Sequence, residues 1–150
     1  MGLQRGNSQY ARKRGLPTRE TSEANCVARG ATIAVPMLAG TDCGANNNHM
    51  IPGWSMHEEL EELVRIGLTP AEVLRMATLN AAEWRNESTS HGSIDRGKVA
   101  DLVILRNDPL QDIRYTRNIE AVFTTGTYHS REDLDTMLQR AERKSRPPSR

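Results

Sequence analysis

Apolar residues recur along this chain with two different periods, and the change of period divides it. Met56, Leu60, Leu63 and Val64 stand at i, i+4, i+7 and i+8, one helical stripe. Val73, Leu74, Ala77 and Ala81 make a second stripe, which predicts a helix that continues to Trp84 and places that indole in the core. Leu134, Met137, Leu138 and Ala141 predict a terminal helix. Elsewhere the apolar residues run together, as strands do: Ile33 to Thr41, Val99 to Leu105 with the run Leu102-Val103-Ile104-Leu105, and Ile119 to Thr125 followed by a turn at Gly126 leading to Tyr128. A short helix from Thr21 to Arg29 is also expected. Residues 1 to about 20 show neither period and read as a poorly ordered basic lead-in.

Polar punctuation sharpens these limits. Ser55-Met56-His57-Glu58 and Thr69-Pro70-Ala71-Glu72 both have the form of a capping box, the second with Pro at the first helical position. Gly67 stands where a left-handed C-cap is wanted, so the first two helices should meet at a tight corner. Gly44 to Trp54, with three consecutive asparagines, predicts a loop, and Asn86 to His91 loops out to Gly92.

Composition narrows the partners. The 150 residues carry a net charge of +1, which argues against nucleic acid or an anionic membrane as partner. Basic residues gather at the two ends, which read as solvated tails. Two cysteines, Cys26 and Cys43, form no C-x-x-C pair, and no apolar run approaches membrane-spanning length, so a reducing cytoplasm is the expected compartment.

The candidate chemistry gathers at Val35-Pro36-Met37-Leu38-Ala39-Gly40-Thr41-Asp42-Cys43-Gly44, an apolar run ending at a carboxylate between glycines. Such a run suits a strand buried on both faces, with Asp42 at its mouth and tight turns at Gly40 and Gly44. Asp42 then faces a cleft, or it caps a loop or the next helix. Glu58, Glu59, Glu61 and Glu62 read as a solvated face that complements a helix dipole, not as a metal cluster. His49 and His57 are near Asp42 in sequence, His91 and His129 read as surface loop residues, and Cys43 reads as a buried structural thiol.

Taken in order, Pro36 to Asp42, His57-Glu58-Glu59-Leu60, Gly67-Leu68-Thr69-Pro70, Ala77-Thr78-Leu79-Asn80-Ala81-Ala82, Gly92-Ser93-Ile94, Gly97-Lys98 and Ala100-Asp101-Leu102-Val103 resemble the C-terminal third of the amidohydrolase superfamily, in its imidazolonepropionase-like and prolidase-like branch. The resemblance covers about residues 30 to 128. It implies an α/β fold: residues 21–91 as the last strand and C-terminal helices of a (β/α)8 metal-dependent hydrolase barrel, 92–129 as strands of a small β-sandwich, and 130–150 as a terminal helix with a basic tail. It further implies that Asp42 ends the eighth barrel strand, ligates a divalent metal, expected to be zinc, and acts as general base, with Thr41 and Gly40 directing the carboxylate. By the same resemblance His57 lines the substrate cleft, or caps and orients the loop.

The His-x-His pair and the middle-strand histidines of such an enzyme are missing from this sequence, and about three protein ligands are needed for hydrolytic zinc. The chain is therefore expected to be a fragment, inactive alone, of an enzyme that takes a small-molecule substrate with a hydrolysable C–N bond. A complementing N-terminal chain or a homo-oligomer is the expected partner. The alternative is an inactive remnant or interaction module whose exposed barrel edge pairs with another chain.

Overall fold

The computed structural model describes residues 36–43 and 50–145. The basic lead-in, the helix expected over Thr21–Arg29, His49 and the last five residues lie outside that range.

Three helices come first. Helix α1 spans Trp54–Arg65 and buries Leu60 and Leu63, half of the expected stripe, while Met56 and Val64 pack at its margin. It ends in a Schellman turn: Gly67 N–H donates to Val64 O at 3.0 Å and Leu68 N–H to Leu63 O at 3.2 Å, with Gly67 at φ 110°. The corner then places Leu68 in the core. Helix α2, Pro70–Ala77, starts on the expected capping box. Thr69 Oγ1 accepts from Glu72 N–H at 3.3 Å, and Glu72 Oε2 accepts from the Thr69 hydroxyl at 2.6 Å and from Thr69 N–H at 2.7 Å, two bonds that, in that order, hold the Glu72 carboxyl below its ordinary pKa. Thr69→Ala removes this cap and should lower the unfolding free energy by about 1 kcal/mol, read as a shift in urea midpoint at constant slope.

Two expectations about these helices are corrected. Ser55 is not a cap. Gly53, at φ 81°, precedes a helix that already begins at Trp54, and the buried Ser55 Oγ accepts from Ile51 N–H at 2.9 Å. Glu58 Oε1, instead of reaching back to the main chain, accepts from the Trp54 indole at 3.0 Å. The helix expected to run to Trp84 breaks at Thr78 (φ −128°, ψ −86°), whose Oγ1 donates to Leu74 O at 2.7 Å. A separate short helix α3, Leu79–Trp84, follows and points Trp84 into solvent, 75% exposed; Ala82 is the residue it buries.

The second half is a three-stranded antiparallel sheet in the order β1-β2-β3. Strands β1 (Leu102–Leu105) and β2 (Ile119–Thr124) pair Leu102 with Phe123 and Ile104 with Ala121, with an irregularity before Leu105. Strand β3 (Thr127–Ser130) pairs with β2 across a two-residue turn, Thr125 at φ 50° and Gly126 at φ 80°. Asp101 Oδ1 holds that turn by accepting from Thr125 N–H at 2.6 Å. A 3-10 helix, Ile113–Arg117, was not expected; Asp112 caps it, and it delivers Ile113 to the core of Leu60, Leu63, Leu68, Val73 and Met76. Helix α4, Arg131–Ser145, opens with Ser130 and Asp133 bonded reciprocally and packs on β2 and β3. Its expected stripe stays largely in solvent, Met137 and Leu138 included.

Candidate functional site

Pro36–Cys43 carries the candidate carboxylate, and its backbone belongs to no sheet among the described residues, contrary to the strand expected over Ile33 to Thr41. It is nonetheless extended in its side-chain pattern. Met37, Ala39 and Thr41 are half-buried, while Pro36, Leu38, Gly40 and Asp42 are exposed, the two-residue alternation of a segment with one covered face. Met37 and Ala39 pack on the helical core. Three polar ties fix the segment: Ala39 N–H donates to Met76 O at 3.3 Å, Asn80 Nδ2 donates to Met37 O at 2.9 Å, and the Gly40 amide donates to the Glu59 carboxylate. The expectation of burial on both faces therefore holds for one face only.

The turn at the end of the segment is made by Asp42 itself. Its φ is 49°, whereas Gly40 is outside the left-handed region, so the residue that needs conformational latitude is the carboxylate and not the glycine before it. Asp and Asn tolerate this region better than most residues because their short polar side chains bond locally. Cys43 is exposed, not buried, and its Sγ lies 3.5 Å from Met50 O.

Helix α1 presents two titratable groups on different flanks, since residues two apart on a helix point about 200° apart. Glu59 is half-buried against the Gly40 segment; burial raises its carboxyl pKa, and the Gly40 hydrogen bond opposes the rise. His57 turns to the 3-10 helix, where Nδ1 lies 3.0 Å from Thr116 Oγ1. The buried Thr116 hydroxyl spends its one proton on Ile113 O at 2.8 Å, so His57 Nδ1–H must donate and Nε2 keeps its lone pair. Burial lowers the His57 pKa, the nearby Arg117 lowers it further, and Glu61 acts in the opposite sense. Arg117 pairs with Glu61 at 2.8 Å and stacks 4.4 Å over the Trp54 ring.

A lowered His57 pKa has a pH signature. The unfolded chain takes up the proton first, so the contribution of His57 to stability is complete above about pH 6.5 and is lost as pH falls through the folded pKa. Urea unfolding of wild type and His57→Gln at pH 7.5 and 5 should show a smaller acid loss in the variant. An equal loss in both would remove His57 as the source.

Of the acidic run, Glu58 and Glu62 are exposed as expected, but Glu59 and Glu61 are half-buried and engaged. His91 bonds Ser90 at 2.9 Å, and His129 sits half-buried in β3 rather than in a loop. Among the described residues, no group of three or more His, Cys, Asp or Glu is placed to hold a metal ion. Sequence reasoning gave no site role to Glu59, Asn80 or Thr116; the available signal for the first two was their place in the motifs His57-Glu58-Glu59-Leu60 and Ala77-Thr78-Leu79-Asn80-Ala81-Ala82. No helix among the described residues is long and apolar enough to cross a membrane.

The fold is thus α/β, helices packed on an extended acid-bearing segment and followed by a small antiparallel sheet. The sequence profile of the amidohydrolase family matches residues 18–128, and the chain belongs to that family. It is 31% identical over 93 residues to an imidazolonepropionase of Desulfotalea psychrophila, an alignment that covers 59% of this chain and 21% of that one. It is 39% identical over 77 residues to adenine deaminase 4 of Rhizobium meliloti, covering 49% of this chain and 12% of the relative. Among solved structures, a prolidase candidate from Bifidobacterium longum matches with a TM-score of 0.65 at 29% identity, over 79% of this chain and 30% of that one. Molinate hydrolase matches with a TM-score of 0.61 at 28% identity, over 73% of this chain and 26% of that one. The chain therefore spans about a fifth of the curated imidazolonepropionase it matches.

Proposed function

We propose that this chain carries the C-terminal part of a metal-dependent hydrolase acting on non-peptide or dipeptide C–N bonds, and that Asp42 is its metal ligand and proton carrier. The alternation along Pro36–Cys43 carries the reading: Leu38, Gly40 and Asp42 lie on the face away from the helices, the face that turns inward when such a segment is the eighth strand of a (β/α)8 barrel. In this reading α1 to α3 belong to the barrel wall and β1 to β3 to the β-sandwich. Bound to the completed site, a divalent metal would lower the pKa of a water toward neutrality. The chain's own contribution is to hold one carboxylate at the segment's mouth through Glu59, Asn80 and the Met76 carbonyl. With Nδ1 of His57 held by Thr116, Nε2 is the nitrogen left to face a substrate.

The relatives named a prolidase candidate and an imidazolonepropionase support a C–N bond as the target. The test grafts this chain in place of the corresponding part of a prolidase-like relative. Dipeptide hydrolysis should survive in the graft and fall at least about 10³-fold with Asp42→Asn, the loss expected of a ligand and general base. A folded, active graft indifferent to Asp42→Asn would end this reading. The isolated chain should bind less than one equivalent of zinc and turn nothing over.

One observation favours a second reading, an inactive module that pairs with another chain: Leu38, Val103 and Ile104 are exposed apolar residues on the extended segment and on edge strand β1. A complementing N-terminal chain or a second copy would cover them, and a monomer at micromolar concentration in size-exclusion chromatography would count against it.

A further inference from the structure

Helix α4 outruns its support. Arg131 and Leu134 are half-buried where the helix packs on β2 and β3, but every residue from Asp135 to Lys144 is exposed. Met137 is 47% exposed and Leu138 63%, both large apolar side chains standing in solvent. With Leu134 and Ala141 they form one stripe at i, i+3, i+4 and i+7, the spacing by which one helix packs along another. A stretch this short is marginal as an isolated helix in water, so the exposed part gains from whatever covers the stripe.

Charge decides which occupant fits. Arg131 to Met137 carries Glu132, Asp133 and Asp135 against Arg131, net −2, and Leu138 to Ser145 carries Arg140, Arg143 and Lys144 against Glu142, net +2. That polarity suits the helix dipole, and it also makes the helix complementary to itself turned end for end. In an antiparallel pair crossing between Met137 and Leu138, Leu134 meets Ala141 of the second copy, Met137 meets Leu138, and Asp133 comes within a turn of Lys144. A parallel pair sets like ends together. The basic lead-in, with Arg5, Arg12, Lys13, Arg14 and Arg19, complements the acidic half only. We propose that α4 is a self-association surface on which a second copy of this chain docks antiparallel. This surface is separate from Asp42 and from edge strand β1, and it does not depend on the hydrolase reading. Two helices about 22 Å long bury less than the roughly 800 Å² per partner of a standard stable interface, so the dimer is weak, with a dissociation constant on the order of 100 µM.

Sedimentation velocity of the full chain, from about 5 to about 500 µM, brackets that constant, and the wild type should pass from monomer to dimer across the range. Leu138→Glu sets a carboxylate in the centre of the stripe and should raise the dissociation constant at least about tenfold. Arg140→Glu combined with Arg143→Glu turns attraction between opposite ends into repulsion in an antiparallel pair, and should raise it at least about threefold. Val103→Lys, on β1, should leave it unchanged, which separates this surface from pairing at the sheet edge. The replaced residues of α4 are exposed, and unchanged far-UV circular dichroism checks that each variant keeps its helix. A wild type that stays monomeric throughout, or a dimer that Leu138→Glu does not weaken, overturns the proposal. A dimer indifferent to the reversed arginines overturns the antiparallel arrangement.

Discussion

Gly92→Ala should cost about 3 kcal/mol and lower the melting temperature by about 10 °C or more. Two effects add. Gly92 has φ 86°, where an alanine is strained by about 1 kcal/mol. Its Cβ would also stand 2.7 Å from Ala82 Cβ, 3.0 Å from Leu79 Cα and 3.3 Å from Thr78 O. Those are a buried methyl and main-chain atoms of α3 and its cap, which cannot swing aside as a flexible side chain can. Gly97 separates the two effects, because it has nearly the same φ, 85°, and a Cβ there would meet nothing within 4 Å. Gly97→Ala should therefore lose only about 1 kcal/mol. Equal losses at the two positions would mean that the loop carrying Gly92 moves off α3 at no cost.

The second large effect is expected at Leu60, 5% exposed at the centre of the helical core. Leu60→Ala deletes three carbons from a site walled by Leu63, Leu68, Val73, Met76 and Ile113, and should destabilise by about 3 kcal/mol. The wall comes from several elements, so it collapses poorly into the space left. Leu138→Ala, at a residue 63% exposed on α4, should stay within about 0.5 kcal/mol, although the sequence places both leucines on apolar stripes. A loss under about 1 kcal/mol at Leu60 would contradict the core as described.

That pair shows what periodicity can and cannot convey. The stripe of α1 and the Thr69 box were legible because a helix start and its apolar face are local properties, satisfied within a few residues. The α4 stripe was equally legible as a helix, but whether a stripe meets a partner depends on the rest of the fold. Ser55-Met56-His57-Glu58 matched a capping box because the spacing was right, yet Ile51 and Trp54 offered its side chains other partners. The 3-10 helix is five residues long, too short for a period of its own; Asp112 as cap, with Ile113 and Thr116 three apart, was its only trace. At the candidate site, Asp42 was visible through its motif, while Glu59 was hidden inside an acidic run whose members look alike until one of them is covered.

The way Pro36–Cys43 is attached has a kinetic consequence. The helical corner and the β2–β3 hairpin close over short loops, whereas Asn80 and Met37 lie 43 residues apart, and closing that loop yields few contacts in return. The segment is held by three polar ties and by Met37 and Ala39 packed on the core, with one face bare. In the order of assembly it should join after the helices have met, and in thermal opening amide exchange at Ala39 should be faster than at Leu63. The Gly40-Thr41-Asp42 motif thus rides on the last piece to settle, and whatever steadies that piece sets how often the carboxylate is in place.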